Sequence, residues 1–377
     1  MTRRRSTPTV PRPAAPKRTG SRILRTLGWL DFWLMCAVWA ILWAIGETWW
    51  VGAALTYAPL SLLCVPPAIL GLLSLPWDRK AVMLHLIAMG VVAGPIMGFV
   101  VPVHRLLERS PQSGPPLRVI TCNVQGFGDG FDARLKEILD LKPDLLVLQE
   151  ASRPFPALEE ALPGWQFVAA GNLRVGCRFP VKFIADIHLD EFDRRAALVA
   201  EVATPAGPMH VVDVHQMTPR PGLANPSRES IQSGEWGRQV SEWEHKRRRE
   251  MRSLRRAVDA AVEGRPRIIA GDFNAPSTSP ILRRYWGDLQ NAFTLAGWGW
   301  GYTAPCVEGE RWPDHTPWIR IDHILCSSDW RIVDCQVGRS HGADHRLVVA
   351  DVVLKGAKRD IDAAPPNSVD DETGAPQ

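Results

Sequence analysis

The chain has 377 residues, with Lys+Arg 44 against Asp+Glu 40, and the resulting net charge of +4 singles out no class of partner. That length suits one large domain, or a domain with an appended segment. The 7 cysteines show neither C-x-x-C nor Cys/His metal spacing, so neither a disulfide framework nor a zinc site is indicated.

Residues 1–26 mix Arg3, Arg4, Arg5, Arg12, Lys17, Arg18, Arg22 and Arg25 with Pro, Ser and Thr, a composition that cannot build a core. They read as a disordered basic tail. Its place beside apolar spans favours a topological role over a nucleic-acid-binding arm. Three apolar segments follow, at about 27–46, 53–75 and 81–103, each near the ~20 residues that a membrane-crossing helix needs. Asp31 at the start of the first and Pro66-Pro67 inside the second are tolerable near an interface or at a kink. No small-residue cleavage site follows the first span, which argues against a cleaved signal peptide. The tail and the Asp78-Arg79-Lys80 loop are basic, whereas the Glu47 to Tyr57 connection lacks Lys and Arg. The positive-inside rule then places everything after residue 104 outside, against the opposing pull of Arg105 and Arg109.

Residues 105–116 form a Pro- and Gly-containing linker to a domain expected over 117–356. Short β-branched runs recur at 117–123, 144–149, 197–203, 209–214, 267–272, 320–326 and 346–354, with helical patterns at 131–142 and 241–263. In the second helix Trp243, Met251, Leu254, Val258 and Val262 recur near helical spacing, so that face should lie on a sheet. The run Lys246-Arg247-Arg248-Arg249 reads as the solvated face of the same helix, with a phosphate-attracting patch as the sharper alternative. Residues 218–240 read as a long loop, and 357–377 as a disordered tail. The class expected is α/β, with sheets packed face to face and helices outside.

The polar residues that end or open these apolar runs are Asn123, Glu150, His215, Asp272 with Asn274, Asp322 with His323, and Asp344 with His345. Asp272 and Asn274 are two apart, so a strand that keeps its alternation would project both from one side. So many polar ends beside apolar runs point to strand ends converging on one pocket.

Cys122-Asn123-Val124, Leu148-Gln149-Glu150, Val214-His215, Gly271-Asp272-Phe273-Asn274-Ala275, Arg320-Ile321-Asp322-His323-Ile324 and Ala343-Asp344-His345-Arg346 occur in the order seen in the endonuclease/exonuclease/phosphatase superfamily, with the deoxyribonuclease-like fold. The resemblance runs from about residue 117 to 354. It implies a two-layer β-sandwich flanked by helices, here preceded by three transmembrane helices. It also implies a divalent metal, Mg²⁺ with Mn²⁺ able to substitute, held by Glu150 and Asp344. Asn123, His215, Asp272, Asn274, Asp322 and His345 take the catalytic positions. Asp272 and Asn274 would orient water and hold a phosphoryl oxygen. His345 resembles the principal catalytic histidine and Asp322 its supporting carboxylate, while His215 resembles the second histidine. The assignment of base and donor between the two histidines is left open.

His323 is expected to be structural, and His188, His210, His315 and His341 to be surface or core histidines. Cys122, Cys177, Cys306, Cys326 and Cys335 should be small core residues. The sequence departs from the family pattern at Cys177-Arg178-Phe179-Pro180, where a serine often precedes the Arg-Phe/Tyr-Pro turn, and around 216–240. The function implied is a membrane-anchored, metal-dependent phosphodiesterase or phosphatase on the outer side of the plasma membrane. Its substrate is nucleic acid or phospholipid, and no protein partner is evident. Tethering favours lipid, the basic helix favours a polyanion, and no aromatic stacking ladder is legible. The alternative is a binding module that kept the fold without the activity.

Overall fold

The structure, a computed structural model, describes residues 19–103, 114–127, 131–152, 156–262, 264–306 and 316–356. The expected basic tail up to residue 18, most of the 105–116 linker, His315 and the tail 357–377 lie outside the described residues. Two compact units are present. One takes in the chain up to Phe99 with Arg220–His245 and Ser277–Ile281, and the other comprises Val100–Pro219, Lys246–Pro276 and the chain from Leu282.

The first unit is helical, and two of its helices, Gly20–Ala44 and Arg79–Ile96, are long and apolar enough to cross a membrane. The middle segment, expected as one span over 53–75, is instead Trp50–Tyr57 and Leu60–Ser74, bent 93° apart. The break falls at Ala58, which is extended at φ −78° and ψ 159° because the residue before Pro59 is pushed out of the helical region. Pro66 and Pro67 cause no kink, since they occupy the first turn of Val65–Ser74, where a missing N–H costs nothing. The last segment is helical over Arg79–Val91 and closes in a π-turn at Val92–Ile96 that contains Pro95. Asp31 does not sit at an open interface. It is 7% exposed and lies 2.9 Å from Nδ1 of the fully buried His85, linking the first of these helices to the last. The pairing satisfies Nδ1 of His85, while its buried Nε2 has no hydrogen-bond partner among the described residues.

The second unit is built from two six-stranded sheets. One has the order β11-β12-β1-β2-β4-β3, from Trp330–Val337, Val348–Leu354, Leu117–Asn123, Leu145–Gln149, Leu173–Cys177 and Gln166–Ala170. The other has the order β5-β6-β7-β8-β10-β9, from Val181–Leu189, Arg194–Thr204, Gly207–His215, Arg267–Asp272, Asp322–Cys326 and Gln290–Asn291. Each sheet holds one parallel pair, β1 with β2 and β7 with β8, and the remaining pairs are antiparallel.

Strand alternation sorts the side chains between layers. Val119, Leu145, Val147, Val175, Val211, Ile268, Ala270 and Ile324 share one buried cluster to which both sheets contribute. Ile120, Cys122, Leu146 and Leu148, on the opposite face of the first sheet, pack with Ile138 of the helix Phe131–Asp140 and with Leu158. On the long helix Glu235–Ala261 the expected core positions Met251, Leu254 and Val258 are buried, as is Val262 just beyond its end. Residues 218–240 are not loop throughout, because they form the short helices Arg220–Leu223 and Arg228–Gln232 and the start of the long one.

Within the sandwich one carboxylate is buried between the sheets. Asp213 on β7 accepts from Gln149 Nε2 at 2.6 Å and from the Arg174 N–H at 3.0 Å, with no exposure. Burial raises its pKa well above the usual carboxylate range, outweighing those two donors. A raised native pKa gives stability that is fully present below the unfolded value of about 4 and is lost as pH climbs through the native value. Asp213→Asn should therefore gain thermal midpoint relative to wild type as pH is raised from about 4 towards 8. Parallel midpoint curves for the two proteins across that range would contradict it.

Candidate active site

The strand registers bring the polar ends together. Asn123 pairs in register with Gln149 on the parallel β1–β2 pair, so Asn123 and Glu150 end neighbouring strands. His215 pairs with Asp272 on the parallel β7–β8 pair, and Asp322 pairs with the same Asp272 across β10. Asn123, His215, Asp272 and Asp322 share strand parity with the inter-sheet core residues and so cap one end of that core.

Glu150 breaks this rule. Alternation alone would put it with Leu146 and Leu148 on the other face, but its φ of +56° turns the chain. Its Oε1 then accepts from Asn123 Nδ2 at 2.9 Å. The orientation of the Asn123 amide follows from its partners, since Oδ1 accepts the Gln125 N–H at 3.1 Å and the opposite end must donate.

Asp272 is the hub. Its Oδ2 lies 3.3 Å from Asn123 Nδ2, 3.2 Å from Asn274 Nδ2, 3.9 Å from His215 Nε2 and 3.8 Å from His345 Nε2. Its Oδ1 accepts the Asn274 N–H at 2.8 Å, in the turn where Asn274 takes a φ of +49°. His215 Nε2 is also 3.8 Å from Glu150 Oε1. The two amide contacts are hydrogen bonds, whereas the imidazole separations are too long for them.

His345 is fixed from behind, with Nδ1 2.9 Å from Asp322 Oδ2 and 3.1 Å from Oδ1. A carboxylate can only accept there, so Nδ1 carries the proton and Nε2 faces Asp272. Burial pulls the His345 pKa down, but Asp322, Asp272 and Asp344 together overcome it and hold the ring at about 10. His215 goes the other way. Burial draws it down to about 4, with Arg194 and His345 adding to burial against Asp272. Burial also raises Asp272, which His345 and His215 pull back towards its ionised form.

Asp344 is the outlying member, 9% exposed, with its backbone N–H 3.5 Å from Gln125 Oε1. Among the described residues, one group of three offers ligand atoms within 4.8 Å of one another: Asp272, Asp322 and His345. Glu150 and Asp344, expected from the sequence to hold a metal, are not in that group. His323 lies outside the cluster. Its Nε2 donates to the Ala275 carbonyl at 2.9 Å, Nδ1 accepts from Asn291 Nδ2 at 3.2 Å, and burial lowers its pKa to about 3. It thereby anchors the turn that follows Asn274. His188 and His341 make their contacts with Asp190, Asp193 and Glu137, and the five domain cysteines are free and buried.

Sequence reading missed the residues that brace the site. Arg247, expected on a solvated face, is 5% exposed. Its guanidinium donates to the Met217 carbonyl at 2.8 Å and to the Asn274 carbonyl. Glu250, 1% exposed, pairs with Arg194, which donates to the His215 carbonyl at 2.8 Å. The signal was present, because 247, 251, 254 and 258 follow the helical repeat that marks the apolar stripe.

Fold and cluster together define a layered α/β protein whose polar centre gathers carboxylates, carboxamides and imidazoles at the ends of its central strands. The Endonuclease/Exonuclease/phosphatase family matches residues 120–345, and the chain belongs to that family, whose members hydrolyse phosphate esters. Among solved structures the chain is similar to a 3' phosphatase, NExo, from Neisseria bound to product DNA hairpin, at 20% identity over 63% of this chain and 100% of that one, TM-score 0.44. It is similar to an endonuclease/exonuclease/phosphatase from Bacteroides vulgatus at 18% identity over 64% and 100% of the two chains, TM-score 0.45. A third, from Beutenbergia cavernae, shares 20% identity over 65% and 73%, TM-score 0.41. No curated protein matches the chain.

Proposed function

We propose that this protein is a membrane-anchored, divalent-metal-dependent phosphoric ester hydrolase whose catalytic domain lies on the outer side of the plasma membrane. The observation that carries the reading is the convergence on Asp272 Oδ2 of Asn123, Asn274, His215 and the Asp322-held His345.

The donor set suits a hard cation. Glu150 and Asp272 present carboxylate oxygens on either side of one Asn123 amide, and Mg²⁺ prefers oxygen ligands, with Mn²⁺ of similar taste. Glu150, whose side chain is 38% exposed, would hold the ion, with Asp344 as the second carboxylate. Bound there, the metal supplies neutralisation of charge developing on a phosphoryl oxygen. The chain's own residues do the rest. Asn123 and Asn274 fix the Asp272 carboxylate, and Asp322 fixes the tautomer of His345. The two imidazoles stand ready to move protons between water and the leaving oxygen as the P–O bond breaks.

The test is hydrolysis of bis(4-nitrophenyl) phosphate by the purified full chain, with and without chelator. EDTA should abolish turnover and added Mg²⁺ or Mn²⁺ should restore it. Glu150→Gln should raise the half-saturating metal concentration roughly tenfold or more. Equal, metal-independent rates in wild type and His345→Ala would leave only an inactive binding module of the same fold. For the orientation, a reporter fused after residue 354 should be active only on the outer side, and cytoplasmic activity would refute it.

A further inference from the structure

The loop that follows the short helix Ala292–Ala296 carries three aromatic residues, Trp298, Trp300 and Tyr302. It wraps over Phe293 so closely that a Cβ at Gly301, where φ is +59°, would meet that ring at 2.2 Å. Arg320 lies over the same ring at 4.3 Å and donates to the Trp300 carbonyl at 2.7 Å. Trp300 and Tyr302 stack at 6.1 Å and 17°. Thr303 then joins the loop to the chemistry. Its Oγ1 accepts the N–H groups of Ile321 and Asp322 at 3.1 and 3.3 Å, and its carbonyl accepts the Arg346 N–H at 2.9 Å. The result is a groove of about 580 Å³, walled by Trp298, Trp300 and Tyr302, with Arg346 in its lining one residue beyond His345.

Three observations identify what fits it. Among the described residues its lining offers Arg346 as a cation and Asp334 as an anion, a poor match to a polyanionic strand whose binding grows with each phosphate neutralised. Gly299 pairs with Val100 through two backbone hydrogen bonds of 2.9 and 2.8 Å, and Val100 follows closely on Ile96, where the second candidate membrane-crossing helix ends. Beside that pairing Trp298 is 68% exposed, Val101 46% and Val103 54%, an apolar patch suited to a lipid surface with tryptophan at its level.

We infer that this aromatic groove seats the apolar portion of a membrane lipid phosphodiester, with Arg346 drawing its phosphate towards His345. The inference rests on the hydrolase reading above and names its substrate class. Hydrolysis there joins the water oxygen to phosphorus, breaks the P–O bond to the lipid alcohol, and leaves a phosphomonoester and an alcohol that takes up a proton.

The test uses the purified full chain in detergent, with EDTA present so that nothing turns over. A fluorescent short-chain phosphatidylglycerol in mixed micelles is the lipid probe, and a single-stranded DNA 12-mer is the competing class. Trp298→Ala and Tyr302→Ala should each weaken lipid binding about tenfold, Trp298→Phe by no more than about threefold, and DNA binding should not change. No lipid binding by wild type, unchanged lipid binding in both alanine variants, or a loss that falls on DNA would overturn the inference. A parallel assay with bis(4-nitrophenyl) phosphate and Mg²⁺ keeps the two readings apart. A wild type that fails to hydrolyse it defeats the hydrolase reading, while the binding arm still decides what the groove holds.

Discussion

Replacing His345 with asparagine should lower hydrolysis of a soluble phosphodiester by about 10²- to 10⁴-fold while the protein stays folded. The reasoning starts from the pair itself, since His345 is 5% exposed and Asp322 0% at the side chain, with Nδ1 2.9 Å from Oδ2. His345→Ala would remove the ring nitrogen Nε2 that faces Asp272 and would also strand a buried carboxylate, at a cost of roughly 3–5 kcal/mol. Asparagine places an amide N–H near the position of Nδ1 and so can still donate to Asp322, but nothing replaces Nε2 facing Asp272. The two variants should therefore lose activity alike and stability unequally. Initial rates on bis(4-nitrophenyl) phosphate, together with thermal unfolding of each variant, make the comparison. An asparagine variant within tenfold of wild-type rate would remove His345 from the reaction.

The contrast between these variants matters because the sequence exposes some parts of this site and hides others. Motif residues at strand ends are legible because β1, β2, β7 and β8 are short runs that stop abruptly at a polar side chain and β10 opens on one. Their convergence is expected from the number of polar ends beside apolar runs, and in the structure strand parity accounts for Asn123, His215, Asp272 and Asp322. Glu150 shows the limit, since only a positive φ brings it to Asn123, and no periodicity encodes that turn.

Strands β3, β4, β5, β9 and β11 are not legible in the sequence, for a related reason. Val181–Leu189 lies at a sheet edge with a mostly half-exposed pattern and two register shifts, so Lys182, Asp186 and His188 dilute the apolar signal. Trp330–Val337, at an edge of the other sheet, carries a bulge between Ile332 and Asp334 that spoils its alternation. Arg247 was hidden by its neighbours, because an arginine that caps two carbonyls looks the same in sequence as the exposed Arg249 beside it. In the apolar helices, the presence of proline says little without its helical phase. Pro66 and Pro67 begin a helix, whereas Pro59 ends one by its effect on Ala58.

Gly271→Ala should be the most damaging single substitution in the domain, lowering the thermal midpoint by about 10 °C or more, the scale expected from a loss above roughly 4 kcal/mol. Gly271 has a φ of +142°, and a Cβ built there would stand 2.0 Å from the Val214 carbonyl oxygen and 2.9 Å from two further backbone atoms of Val214. Backbone cannot rotate aside as a flexible side chain can, so β7 and β8 would have to part. They are the strands whose register sets His215 opposite Asp272, one residue beyond the crowded pair. Separating them would pull the hub carboxylate away from one imidazole. It would also strain the β10 pairing that holds Asp322 to the same Asp272. Stability and turnover should therefore fall together in Gly271→Ala, whereas His345→Asn loses turnover alone. A Gly271→Ala protein that melts within about 2 °C of wild type and retains half its rate would show that the glycine is not what seats the two strands.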